Sequence, residues 1–125
     1  MGESILKQKS FLLAKTVVAT YQYLNSEKKE YVMSKQLLRS GTSVGAMVRE
    51  ARNARNAESK MDFIHKLGIA QKECDESLYW LELLLETGYI DDSQYKSVSK
   101  QAEEELRIIR SSIITTKNNI AKRKL

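Results

Sequence analysis

The apolar positions of the chain fall into four stretches of helical periodicity separated by short polar breaks. In the first, about residues 4–24, Leu6, Leu13, Val17, Thr20 and Leu24 share a narrow stripe at about 100° per residue. The polar residues from Asn25 to Glu30 interrupt it and read as a loop. A second stretch, about 34–54, opens at Ser34, a favourable N-cap type, and places Leu37, Val44, Val48 and Ala51 on its inner line beside Ser40 and Gly41. The third, about 59–87, is the most regular: Phe63, Leu67, Ala70, Cys74, Leu78, Leu81 and Leu85 recur three and four apart. Ser59 with Asp62 resembles a capping box, and Gly88 supplies a stop after Thr87. In the fourth, about 92–118, Asp91 and Gln94 form a capping-box-like start. Tyr95, Val98, Ala102, Leu106, Ile109, Ile113 and Ile120 carry its stripe toward a basic tail at 121–125.

Four amphipathic helices with short turns predict an all-α fold, an up-down-up-down antiparallel four-helix bundle occupying the whole chain as one domain. Composition agrees. With 125 residues, no proline and five glycines, the chain has room for one core and few breakers. No run approaches the length needed to span a bilayer, so no membrane partner is expected. The N-terminal stretch carries Lys7 and Lys9 and lacks the apolar core of a signal peptide. A single cysteine, Cys74, cannot form an internal disulfide, and a cytoplasmic location follows as the expectation.

Candidate chemistry is sparse. His65 lies nine positions before Cys74, about half a turn round the helix and about 13 Å along it, so the two cannot act as base and nucleophile. Neither a paired Glu-x-x-His motif nor a phosphate-binding glycine loop is present. No catalytic residue, metal ligand, cofactor or small-molecule substrate is therefore expected. Gly41 and Gly45 either permit close packing of a neighbouring helix or form a hinge. Glu73 and Glu76 sit close on one flank, where they either pair with Arg39 or perform acid–base work.

Two surfaces suggest partners. On the third helix, Ile69, Trp80 and Leu83 occupy a flank away from the main stripe, and Tyr79 and Met61 continue round the back. Apolar surface on more than one side predicts association with further copies, unless a broad core absorbs it. The second surface is basic: Arg49, Arg52 and Arg55 recur every three residues, followed by Lys60, and Lys117, Lys122, Arg123 and Lys124 lie at the other terminus. Arg52 and Arg55 fall back toward the apolar line, so the buried seam should end near Ala51 and the helix end should project into solvent. With Lys and Arg at 21 against 16 acids, a polyanionic partner such as RNA becomes plausible beside the alternative of a merely solvated face. No aromatic interleaves with these cations in sequence, which speaks against stacked, single-strand reading.

The segments QLLRSGTSVGAMVREA and SKMDFIHKLGIAQKECDESLYWLELL, between Gln36 and Leu84, closely resemble the four-helix-bundle proteins encoded in bacterial 23S rRNA intervening sequences. Met47 departs from the family pattern, which often carries Asn there. The resemblance implies a cytoplasmic bundle, a ring-like homo-oligomer that is usually a pentamer, no enzyme activity, and a link to ribosomal RNA. It also marks Arg39, Glu50, Glu73 and Glu76 as recurrent polar positions, read here as structural or interface pairs. A protein-interaction module with an incidental basic surface is the competing expectation.

Overall fold

The structure, a computed structural model, describes residues 2–52 and 60–123. Four helices account for almost all of them: α1 (Gly2–Ser26), α2 (Met33–Ala51), α3 (Lys60–Glu86) and α4 (Asp92–Arg123). Each packs against its chain neighbours, and α4 closes the bundle by returning to α1 along a sparser seam. Cross-helix pairs fix the directions. Ser10 meets Gly45 while Val17 meets Gly41, so α1 and α2 run antiparallel. Arg39 reaches Glu73 and Glu76 while Glu50 reaches Lys66, so α2 and α3 do too.

The predicted stripes become the core. Leu13, Val17 and Leu24 of α1, Leu37, Val44 and Val48 of α2, Leu67, Cys74 and Leu81 of α3, and Ala102 and Ile109 of α4 are all sealed from solvent. Close approach of α1 and α2 depends on the small residues: a β-carbon on Gly41 would lie 2.7 Å from Val17 Cγ2. The packing reading of that glycine therefore holds, inside an unbroken helix. Ser40 and Ser77 do the same between α2 and α3, where their hydroxyls meet at 2.9 Å.

The helix ends show how local chemistry terminates each element. After α3, Gly88 takes φ +83, its N–H bonds to Leu85 O and the Tyr89 N–H to Leu84 O, the paired closure of a Schellman turn. Asp91 and Gln94 then exchange reciprocal side-chain-to-backbone bonds of 2.8 and 2.9 Å to start α4. The start of α2 differs from the sequence expectation. Ser34 is not the cap; its hydroxyl donates to Glu30 O, and Glu30 accepts the N–H groups of Val32, Met33 and Ser34 through its carboxylate. Burial works against the charged form of Glu30, yet these donors outweigh it and hold the carboxyl below its usual range.

Boundaries also shift. α1 continues to Ser26, and α2 stops at Ala51 instead of near residue 54. The proposed Ser59 cap, Arg55 and Lys124 lie outside the described residues.

Candidate functional site

Antiparallel packing brings together residues that are far apart in sequence. The N-terminal half of α1, the C-terminal turn of α2, the first turn of α3 and the last turns of α4 share one end of the bundle. Arg49, Arg52, Lys60, Lys117, Lys122 and Arg123 all belong to that end, as do Lys7, Lys9 and Lys15 of α1, which the sequence pattern did not single out. The opposite end carries Glu27, Glu30, Glu86, Asp91 and Asp92 beside Lys28, Lys29, Lys35 and Lys96. The charge is thus polarised along the bundle axis. Part of this serves the helices themselves, since Arg49 in the last turn of α2 and Lys122 and Arg123 in the last turn of α4 face the negative ends of their helix dipoles.

Between α1 and α2 this basic end is creased by a shallow groove. Ser10, Ala14, Thr42, Gly45 and Ala46 form its floor, and Lys7, Arg49 and Glu50 stand along it. A contiguous depression is lined by Lys7, Gln8, Phe11, Lys15, Arg49 and Arg52. Phe11 belongs to both and is 56% exposed, with the Lys15 ammonium 5.5 Å from its ring centre. An aromatic therefore does stand among the cations, contrary to the sequence expectation. The signal was hidden because Phe11 and Arg49 come from different helices.

Arg52 does not project into solvent as the wheel suggested. It caps α2 in αR geometry, bonded through its N–H to Val48 O, and its side chain is half-buried with Nε shielded from water. The seam ends near Ala51 because α2 itself ends there.

The polar positions on α2 and α3 form a separate cluster along the middle of the bundle. Arg39 bonds Glu73 at 2.8 Å and also Glu76, while Trp80 Nε1 donates to Glu76 Oε2 at 3.0 Å. The Trp80 indole and the Arg39 guanidinium together hold the Glu76 carboxyl below its usual range. Glu50 is not part of this cluster; it pairs with Lys66 at 3.3 Å. Both glutamates beside Arg39 thus have a cation or an indole N–H as partner, an arrangement that fixes α2 against α3.

Of the apolar flank on α3, Ile69, Trp80 and Leu83 are half-buried within the single chain, and Trp80 packs against the core. A helix with neighbours on both sides, α2 and α4, can bury two flanks without any further copy. Met61 and Tyr79 remain exposed. Further exposed large apolar side chains stand on α1, at Ile5, Phe11, Leu12 and Val18, and at Tyr31, Val32 and Ile114.

Sequence reasoning also missed Glu105. It follows Ala102 by three and precedes Ile109 by four, so it lies on the buried stripe of α4, is fully enclosed, and neither carboxyl oxygen has a hydrogen-bond partner among the described residues. Burial pushes its pKa up to about 8; Lys9 opposes the shift and Glu104 adds to it. Nearby Cys74 donates to Ala102 O at 3.1 Å, and burial, reinforced by Glu105 and Asp75, pushes the thiol up to about 12. Cys74 is therefore a packed thiol. Among the described residues no cluster of three or more His, Cys, Asp or Glu could hold a metal ion, and no helix is long and apolar enough to cross a membrane.

Comparison with known proteins accords with this architecture. No curated protein matches the chain. A solved structure of a protein of the S23 ribosomal protein family from Bacteroides thetaiotaomicron is 46% identical, covering 90% of this chain and 98% of its own, with a TM-score of 0.85. The family model described as 23S rRNA-intervening sequence protein matches residues 3–111, and with the whole bundle core inside that span the chain belongs to this family.

Proposed function

We propose that this protein is a non-enzymatic, self-associating RNA-associated protein that contacts RNA phosphates through the basic end of its bundle. The observation that carries the reading is that all four helices contribute cations to that end, in excess over Glu50, Asp62 and Glu104, of which Glu50 and Glu104 are ion-paired. A polyanion gains from such a surface by counterion release, and it does so without base-specific contacts. The family's description names the 23S rRNA intervening sequence, which makes structured RNA the natural polyanion to test. The Cys74 thiol is buried and His65 lies on the exposed side of the same helix, so these two do not form a nucleophile–base pair, which suits the non-enzymatic part.

Self-association rests on Ile5 and Leu12, seven residues apart on one face of α1, which leave exposed apolar surface that a second copy would cover. A closed ring, of the five-membered kind the resemblance implies, would display the basic end once per copy and multiply weak phosphate contacts. The test is RNA binding by Arg49→Glu/Lys117→Glu, which reverses one exposed cation on each of α2 and α4. Weaker binding with a shallower salt dependence is expected. Wild-type affinity and salt slope in the variant would remove the proposal.

A further inference from the structure

Phe11 is the exposed aromatic among the described residues of the basic end, whereas Phe63 in the first turn of α3 is partly buried. The Phe11 ring is more than half exposed, on the side of α1 that faces α2, over a floor of small residues that keeps the groove shallow. Gly45 makes that floor: a β-carbon there would already stand 3.4 Å from the Ser10 carbonyl oxygen. Lys7, Lys15 and Arg49 stand round the ring, and Arg52 closes the depression at the helix end. Glu50 is the single acid lining either part, and it is engaged by Lys66 of α3.

A flat apolar ring inside a ring of cations matches one ligand chemistry, an unpaired nucleotide: the base stacks on the aromatic face and the flanking phosphates meet the cations. A duplex offers the phosphates but keeps its bases stacked on one another. A second copy of this chain placed symmetrically on the same face would set like charges against each other. We infer that the α1–α2 groove is a single-stranded RNA subsite in which Phe11 stacks an unpaired base while Lys7, Lys15 and Arg49 hold the adjoining phosphates. This rests on the RNA-associated reading and adds to it a preference for unpaired segments.

The experiment compares wild type, Phe11→Ala, Phe11→Trp and Lys7→Gln/Arg49→Gln. Each is titrated by fluorescence anisotropy against a labelled oligouridine and a labelled blunt RNA duplex of equal length, over a range of salt. Particle mass is measured for every variant. Phe11→Ala should lose roughly 5- to 150-fold in affinity for the single strand, the range for removing one stacked base, with duplex affinity, salt slope and mass unchanged. Phe11→Trp should restore single-strand binding. Lys7→Gln/Arg49→Gln should weaken both RNAs and flatten the salt slope. Wild type that binds RNA while Phe11→Ala binds the single strand equally well overturns the stacking subsite alone. Equal losses on both RNAs, or a fall in particle mass in Phe11→Ala, overturn it as well. Wild type that binds neither RNA overturns this inference together with the reading beneath it.

Discussion

Gly41 of α2 faces Val17 of α1 with no room between them for a side chain, since a β-carbon on the glycine would come within 2.7 Å of one valine methyl and 2.8 Å of the other. Val17 is fully buried and β-branched, so it has neither space nor a second easy rotamer into which to retreat. Gly41→Ala should therefore destabilise the bundle by about 1–3 kcal/mol, the usual cost of overpacking, despite a helix-propensity gain of about 1 kcal/mol. Gly68, in α3 with nothing within 4 Å of its would-be β-carbon, supplies the control. Gly68→Ala should stabilise by about 0.5–1 kcal/mol. Urea midpoints of the two variants, moving in opposite directions, check the account of the α1–α2 contact.

Glu30 caps α2 with its carboxylate, and its folded-state pKa is held below the ordinary 4.5. For an acid with a lowered pKa the stabilisation is fully present above 4.5 and is lost as pH falls through the folded value. Glu30→Gln should cost about 1 kcal/mol at neutral pH, typical of a lost helix cap, and the difference from wild type should close in acid. Thermal unfolding of both proteins from pH 7 down to pH 3 reads this directly.

Glu105 has the opposite sign. Its folded pKa of about 8 exceeds the ordinary 4.5, so the folded chain binds a proton that the unfolded chain releases over that interval. Stability should consequently fall as pH rises from about 5 to 8, with a slope approaching 1.4 kcal/mol per pH unit from this group, and level off above. The groups that bear on it are Lys9 of α1 and Glu104 beside it, and it in turn raises the Cys74 thiol. Glu105→Gln keeps the shape without the ionisation. Its stability should be flat over pH 5–8 and should exceed wild type most at pH 8, measured by urea unfolding across that range.

Leu12 is 49% exposed on α1. Static light scattering should give wild type a mass several times that of one chain. Leu12→Lys should lower it by breaking the apolar contact while leaving the helical circular-dichroism signal intact. A wild-type particle with the mass of one chain would end the self-association proposal.

How much of this was readable in advance divides along the range of the interactions. The stripe through Leu67, Cys74 and Leu81, the Gly88 stop and the Asp91–Gln94 exchange depend on residues within a few positions of one another, and all were legible. Ser34 misled because its type suits an N-cap, whereas the buried Glu30 four residues earlier reaches the same N–H groups with two oxygens. Glu105 was passed over because a stripe is read by collecting apolar residues, although its spacing from Ala102 and Ile109 placed it inside. The basic groove was out of reach for a different reason. Lys7, Phe11 and Lys15 meet Arg49 only through the antiparallel register of α1 and α2, which the Gly41 and Gly45 contacts set. A single-helix wheel cannot show that Trp80 packs partly against the core between α2 and α4, while Met61 and Tyr79 of the same helix stay exposed.

If the end of the bundle that carries Lys7, Arg49, Lys60 and Lys117 binds RNA through its phosphates, binding must respond to salt. The most direct measurement is wild-type affinity for a single-stranded RNA as a function of salt. Log affinity should fall linearly with log salt, with a slope on the order of −0.7 for each phosphate engaged and several phosphates engaged per copy. Binding that is absent at low salt, or that keeps its strength as salt rises, would contradict it.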